Sequence, residues 1–250
     1  MSLLIPPALT TPLLKIPILL TDVALTYISL TPPNPPPPPK ERDSFTKPDL
    51  FTRTADVQLK FVLLSKLGIC AIAVAEAVAV LAQAVPSSFS NSILSVLALG
   101  APAPTLSLRI TPRYLLGAAI ALVGGGVRVW AYRTLGRFFT WQLAVKSDHN
   151  LVTDGPYAWV RHPSYTGFVM APIGNLIMAT SAGAYFTEVG WRGTGWGKVY
   201  LAAVFGYIGL VGVQVLTRVS KEDAVLRENF GEEWEAWAKK TPYRLIPYIY

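Results

Sequence analysis

Long apolar runs dominate this sequence and decide what it can fold into. Runs at 57–85, 113–132 and 198–217 each supply the stretch of about 20 residues that a helix needs to cross a bilayer. Only 15% of the residues are charged, against about 25% in an average soluble domain. Backbone polar groups find no water inside a bilayer, so helices are expected throughout. The sequence therefore predicts an all-α, polytopic integral membrane helix bundle.

Three less regular runs extend this bundle. Residues 8–30 predict a first span, made irregular by its prolines, and 164–181 predict another that Pro172 kinks. Residues 88–105 are apolar but short, and either a cramped span or a re-entrant segment fits them. The polyproline at 31–40 is better explained as a spacer than as an SH3-type ligand.

The spacing of small and charged residues predicts how the spans pack. Gly117, Ala121 and Gly125 recur at i, i+4 and i+8, which predicts a face on which a second helix approaches closely. Glu76 lies deep in its run and should face the bundle interior. An interhelical hydrogen bond explains Glu76 better than a functional role does. Lys66, like Lys60 before it, is expected to extend toward an interface.

Charge and cysteine content exclude several classes of function. The net charge is +7, but basic residues are scattered between apolar runs, so lipid headgroups fit better than nucleic acid. The single cysteine, Cys70, excludes an intrachain disulfide, and two histidines alone predict no metal site. Basic residues cluster before and after the last helix pair, which places both clusters on one side of that pair, and they are sparse in its turn. The positive-inside rule therefore places residues 142–167 and the C-terminal tail in the cytosol.

Residues 142–167, the central stretch, hold both histidines and the strongest turn signal of the chain. Pro163 predicts a helix start with His162 just outside it. The N–H groups of Ser164 and Tyr165 would then face an anion such as a carboxylate. The aromatic side chains of Tyr157, Trp159 and Tyr165 suit a purine ring or a sulfonium. The alternative is a packed loop that caps a helix.

The C-terminal tail carries a second polar pattern. Arg218 and Glu222 are spaced i, i+4 and share a helix face, where Arg can receive a carboxylate. A helix break is predicted near Gly231, and Trp234 and Trp237, with Phe230, form the apolar side of the tail. The alternative is an amphipathic helix that lies on the headgroups.

Two motifs identify a family resemblance. The segment QLAVKSDHNLVTDGPYAWVRHPSYTG begins at Gln142, and R-x-x-x-E-D-x-x-L-x-x-x-F-G-E-E-W begins at Arg218. Together, over about residues 128–247, they resemble the isoprenylcysteine carboxyl methyltransferases. The resemblance implies an endoplasmic-reticulum membrane enzyme that uses S-adenosylmethionine to methylate the C-terminal carboxylate of farnesylated or geranylgeranylated CaaX proteins. Residues 1–112 would hold N-terminal spans with a Pro-rich connector (31–56), and residues 113–250 the catalytic region.

The resemblance also implies roles for individual residues. Arg218 would bind the substrate carboxylate. The implied cofactor contacts come from both motifs: Gln142, His149, Asn150, Leu151, Val152, Tyr157, His162, Pro163, Ser164, Tyr165 and Glu222. Lys221 interrupts the acidic run that the family often has beside Glu222.

Three alternatives stay open at the level of sequence. A phospholipid N-methyltransferase would share the cofactor motif. A sterol-reductase-like enzyme would need arginines for the 2′-phosphate of NADPH, and the central stretch offers only Arg161. Outside enzymology, the chain could be a catalytically silent membrane scaffold or a prenyl-protein binder.

Overall fold

The computed structural model describes residues 11–35, 54–98, 106–141 and 150–250. These ranges contain helices, turns and loops and no β-strand. Their longer helices are α1 (Lys15–Ser29), α2 (Ala55–Ala84), α3 (Ser88–Leu97), α4 (Pro112–Leu135), α5 (Pro163–Ala179), α6 (Gly195–Phe230) and α7 (Glu232–Lys240). A single α-helical turn, Tyr185–Glu188, precedes α6, and short 3₁₀ turns lie at Pro12–Leu14, Gly136–Phe138, Gly155–Ala158 and Trp191–Gly193.

Within the described ranges, four helices are long and apolar enough to cross a membrane, which confirms the prediction of a polytopic all-α bundle. They are Pro12–Ser29, Val57–Ala84, Pro112–Phe138 and Gly195–Phe230. Helix α5 continues through Pro172, and its 17 residues lie at the lower limit of a span. Helix α3 has only 10 residues and is too short to cross, while residues 99–105 lie outside the described part.

Helix α6 is much longer than the predicted span at 198–217. Its 36 residues rise about 54 Å, well beyond the hydrocarbon core of about 30 Å. The segment from Arg218 onward is therefore a rigid continuation of the last span. The helix ends at Gly231, whose φ of 50° is in the left-handed region, and α7 follows directly. The break predicted near Gly231 is confirmed.

Helices α4 and α5 pack through glycine. A Cβ on Gly167 would lie 2.4 Å from the carbonyl oxygen of Gly124, and one on Gly174 would lie 2.3 Å from the nitrogen of Ala121. Gly117 and Ala121 thus lie on the predicted contact face. Gly125 does not, because it faces Leu25 of α1. With 3.6 residues per turn, position i+7 stays nearer the face of position i than i+8 does.

Substitution of Gly167 tests this packing. We expect Gly167→Ala to destabilise the protein by about 1–3 kcal/mol, since the added methyl group would overlap the backbone of α4. The matched control is Gly126→Ala, because nothing lies within 4 Å of a Cβ at that position. Thermal unfolding in detergent should show a lower midpoint only for Gly167→Ala. Equal midpoints for the two variants would contradict the packing.

Buried polar groups tie α1 to α2. Lys15 forms an ion pair with Glu76 and donates to the Gly183 carbonyl at 2.6 Å, while the Tyr185 N–H donates to Glu76 at 3.1 Å. The interhelical interpretation of Glu76 is confirmed. Lys66, which was predicted to extend toward an interface, is 6% exposed. Its ammonium donates to the Thr31 hydroxyl just past the end of α1, at 2.9 Å.

Candidate active site

A cavity lies where the end of α4, the start of α5 and the extension of α6 meet. Its described walls combine arginines, the carboxylate of Glu222 and several aromatic rings. Its described lining is Arg128, Leu135, Phe138, Phe139, Thr140, Trp141, Leu151, Val152, Tyr157, Arg161, His162, Ser164, Tyr165, Phe168, Arg218, Glu222, Val225, Leu226 and Trp237. The central stretch and the tail, far apart in sequence, therefore both contribute residues to one site.

Backbone hydrogen bonds hold the end of the tail against the central stretch. The Arg161 N–H donates to the Tyr243 carbonyl at 2.9 Å, and the His162 N–H donates to the Arg244 carbonyl at 2.8 Å. The Thr166 hydroxyl donates to the Leu245 carbonyl at 2.7 Å. These contacts confirm that the two segments meet.

Helix α7 docks on protein and does not lie free on headgroups. Trp237 is buried against Ala131 and Tyr157, and its indole N–H donates to the Tyr157 carbonyl at 3.2 Å. Trp234 packs at the edge of the same cluster. Burial, reinforced by the charge of Glu222, raises the pKa of Tyr157 well above its ordinary value. The phenol of Tyr157 therefore stays protonated and available as a donor.

Asp223 links three basic side chains on the outer side of the cavity. Its carboxylate accepts from Arg161 at 3.2 and 3.0 Å, from His162 Nε2 at 2.9 Å and from Arg244 Nε at 2.9 Å. Asp223 is only 4% exposed, so these bonds form away from water. The carboxylate fixes the ring of His162 and ties the tail to α6. Asp223 had no predicted role, although it directly follows Glu222.

Arg218 and Glu222 meet through a tyrosine. Arg218 Nε donates to the Tyr165 hydroxyl at 2.5 Å, and this hydroxyl donates to Glu222 at 2.9 Å. Arg218 also donates to the carbonyl oxygen of Trp141 at 2.9 Å. Arg218 is 2% exposed, while the side chain of Glu222 is 30% exposed. The predicted pair shares one face of α6, and the bridging hydroxyl was not foreseen.

The structure brings most of the predicted cofactor contacts together. Those that line the cavity are Leu151, Val152, Tyr157, His162, Ser164, Tyr165 and Glu222. Pro163 is buried at the start of α5, with His162 outside the helix as predicted. Asn150 is exposed and is not part of the described lining. Gln142 and His149 lie outside the described residues.

Two details of the predicted anion and ring site are wrong. The Tyr165 N–H donates to the His162 carbonyl at 3.2 Å, so it does not remain open to a ligand. Trp159 is 69% exposed and does not line the cavity, because the 3₁₀ turn at Gly155–Ala158 directs Tyr157 inward and leaves Trp159 outside.

Arg128 is a part of the site that sequence analysis missed. It lies within α4 and is 2% exposed, yet it donates to Ser29 of α1 and to Ser164 of α5. An ionisable residue inside a predicted span was the available signal, since such groups are rare in membranes and usually functional.

The chain is similar to known methyltransferases over its second half. Residues 117–190 match the model of the isoprenylcysteine carboxyl methyltransferase (ICMT) family. A probable protein-S-isoprenylcysteine O-methyltransferase of Oryza sativa subsp. indica is 29% identical over 138 residues, which cover 54% of this chain and 61% of that protein. The protein-S-isoprenylcysteine O-methyltransferase of Schizosaccharomyces pombe is 32% identical over 124 residues, covering 48% and 44%.

A mammalian relative gives the same result. The protein-S-isoprenylcysteine O-methyltransferase of Rattus norvegicus is 32% identical over 135 residues, covering 53% of this chain and 40% of that protein. The match to the rice protein thus spans about three fifths of its length. No solved structure matches the chain. The resemblance drawn from the two sequence motifs is confirmed.

Proposed function

We propose that this chain, whose residues 117–190 match the isoprenylcysteine carboxyl methyltransferase family, methylates the C-terminal carboxylate of prenylated cysteine on CaaX-type proteins. S-adenosylmethionine would be the methyl donor and the endoplasmic-reticulum membrane the location, with the site on the cytosolic side. One arrangement supports this proposal most strongly. Arg218, Tyr165 and Glu222 form a hydrogen-bonded row on the wall of an aromatic-lined cavity.

The cavity offers groups that match the parts of this donor. Tyr157 and Trp237 provide aromatic faces for a purine ring or a sulfonium. Glu222 can accept hydrogen bonds from ribose hydroxyls or an ammonium group, and its partial exposure leaves an oxygen accessible. His162, held by Asp223, fixes the position of the first turn of α5. The residues present therefore fit the cofactor that the family resemblance implies.

The proposed reaction requires alignment of the methyl donor with the substrate carboxylate and little proton transfer. When bound, S-adenosylmethionine supplies an electrophilic methyl group whose bond to sulfur breaks as its bond to a substrate carboxylate oxygen forms. A carboxylate is already ionised near neutral pH, so no general base is required. Arg218 would hold the carboxylate in line for transfer. The buried setting of Arg218 strengthens this attraction, and formation of a neutral ester ends it.

An apolar groove next to the cavity suits the prenyl chain. It lies between α2, α5 and α6, and its walls include Val62, Val169 and Val211. Phe168 borders both the groove and the cavity. A prenyl group entering from lipid between these helices would therefore carry its cysteine carboxylate toward Arg218.

Labelled methyl transfer tests the proposal. Purified protein in lipid nanodiscs should transfer methyl from S-adenosylmethionine to N-acetyl-S-farnesylcysteine and release it as methanol after base treatment. N-acetylcysteine without a prenyl group is the matched control and should stay unlabelled. Base-stable label in phospholipid would indicate a phospholipid N-methyltransferase and contradict the proposal. Failure to bind S-adenosylmethionine would favour a non-catalytic prenyl-protein binder.

A further inference from the structure

A second pocket continues the apolar groove deeper into the helix bundle. This inner pocket shares three wall residues with the groove, Ile69, Pro172 and Val204. On α2 the groove extends from Val62 to Ile69 and the inner pocket from Ile69 to Glu76, so each covers about 10 Å of helix. The cavity, the groove and the inner pocket therefore adjoin one another in a row.

The groove and the inner pocket differ in the charge of their walls. Among the described residues, no acidic or basic side chain lines the groove. The inner pocket, in contrast, is lined by Asp22 and Glu76, together with the amide of Asn175. Glu76 already forms an ion pair with Lys15. Asp22 is therefore the carboxyl group of this pocket that the packing of the helices does not explain.

Asp22 is only partly satisfied by its neighbours. It is 1% exposed, and its Oδ2 atom has no hydrogen-bond partner within the described part of the chain. Its Oδ1 atom accepts from the Thr26 hydroxyl at 3.5 Å, and the Asn175 amide donates to that hydroxyl at 3.2 Å. An ionisable residue inside a span commonly marks a binding site. A ligand that enters the inner pocket thus meets an unsatisfied oxygen.

The position of Asp22 along α1 determines which part of a ligand it meets. Arg128, on the wall of the cavity, donates to the Ser29 carbonyl at the end of α1. Asp22 precedes Ser29 by seven residues, which places it about 10 Å further along the helix axis. A prenyl chain whose cysteine carboxylate lies in the cavity would fill the groove first. Only the far end of a longer chain would reach Asp22.

The added isoprene unit of a geranylgeranyl group would gain little in the inner pocket. This unit comes from lipid, which is as apolar as a pocket wall, so its transfer has almost no hydrophobic driving force. Inside the pocket its aliphatic carbons offer Oδ2 no donor and exclude water. A buried polar atom left without a partner weakens binding by about tenfold or more. The loss therefore exceeds the gain.

We propose that Asp22 is a specificity-determining residue that ends the prenyl groove, so that the chain prefers farnesylcysteine to geranylgeranylcysteine. This inference rests on the proposed function for the identity of the ligand and adds the length of its isoprenoid. The protonated and the ionised carboxyl group have the same effect, since neither finds a hydrogen-bond partner on a hydrocarbon.

Two prenylcysteines that differ by one isoprene unit test this inference. The full chain in lipid nanodiscs, with saturating S-adenosylhomocysteine, would be titrated with N-acetyl-S-farnesylcysteine and N-acetyl-S-geranylgeranylcysteine, and dissociation constants expressed as mole fractions in lipid. The wild-type protein should bind the farnesyl compound at least about fivefold more tightly. In Asp22→Leu the geranylgeranyl compound should gain affinity until the two constants agree within about twofold, with the farnesyl constant unchanged.

Two matched variants distinguish polarity from other effects of the substitution. Thr21→Leu introduces the same side chain at an exposed position of α1 and should leave the ratio of the two constants at its wild-type value. Asp22→Asn keeps a polar group of the same size and should retain the farnesyl preference. Equal affinities in the wild-type protein, an unchanged ratio in Asp22→Leu, or equal losses of both ligands in that variant would overturn the inference.

A change in the ligand tests the same contact without relying on a variant that has to fold. A geranylgeranyl compound with a hydroxyl group on its last isoprene unit can donate to Oδ2 of Asp22. The wild-type protein should therefore bind it at least about fivefold more tightly than the unmodified geranylgeranyl compound. Asp22→Leu should lose this difference. The absence of any gain from the hydroxyl group in the wild-type protein would also overturn the inference.

Methyl transfer by the wild-type protein in the same nanodiscs separates this inference from the proposed function. Preferential binding of the farnesyl compound without any methyl transfer would retain the role of Asp22 and refute the activity. Transfer to both prenylcysteines, with equal affinities for the two, would retain the activity and refute the role of Asp22.

Discussion

Arg218→Gln should lower kcat/KM for N-acetyl-S-farnesylcysteine by at least about 100-fold, since removing one member of a buried charge pair costs roughly 2–5 kcal/mol. The guanidinium is 2% exposed and is oriented by Tyr165 and by the carbonyl oxygen of Trp141. Glutamine removes the charge that would hold the substrate carboxylate. Initial rates at varied substrate, with saturating S-adenosylmethionine, measure the loss.

The matched control for this prediction is Arg227→Gln on the same helix. Arg227 is exposed, pairs with Glu235 and does not line the cavity, so its loss should change the rate by less than about twofold. S-adenosylhomocysteine binding serves as the measure of folding, and we expect both variants to retain it within a few-fold. A wild-type kcat/KM in Arg218→Gln would refute the assignment.

Asp223→Asn should be strongly destabilising. The substitution leaves Arg161, His162 and Arg244 without the carboxylate that they share, and breaking a buried ion pair costs about 3–5 kcal/mol. The midpoint of thermal unfolding in detergent should fall by roughly 6–20 °C. Limited proteolysis should cut the end of the tail sooner, because Arg244 loses its anchor on α6.

Two variants distinguish a lost ion pair from general damage. Glu228→Gln removes an exposed carboxylate of the same helix and should leave the unfolding midpoint unchanged. Arg161→Met added to Asp223→Asn removes a cation that would be buried without its partner, so the double variant should be more stable than Asp223→Asn alone. An unchanged midpoint in Asp223→Asn would show that the carboxylate does not join the two segments.

Local patterns in the sequence predicted much of the fold. Apolar runs gave the spans, Gly231 gave the helix break, and the basic residues beside the last helix pair predicted that the central stretch meets the tail. The i, i+4 spacing correctly placed Arg218 and Glu222 on one face of α6. Each of these predictions depends on residues that are neighbours in sequence or on one helix, where geometry follows directly from spacing.

Contacts between distant segments were beyond this kind of prediction. The Tyr165 hydroxyl bridges Arg218 to Glu222, and Asp223 joins Arg161 to Arg244, only because α5, α6 and the tail converge. The spacing of residues along one helix does not predict distances between side chains of different helices. Two predictions were wrong for local reasons. The sequence did not show which side of the turn at Gly155–Ala158 faces inward, and it did not show which glycine of α4 faces α5.

Photo-cross-linking of the methyl donor tests the central claim most directly, that two distant segments enclose it. Wild-type protein in nanodiscs would be irradiated with tritiated S-adenosylmethionine, and the labelled residues identified by peptide sequencing. We predict label within residues 150–168 and 218–240, abolished by excess S-adenosylhomocysteine. Label confined to α1, α2 or α3, or label that the competitor does not remove, would contradict the account.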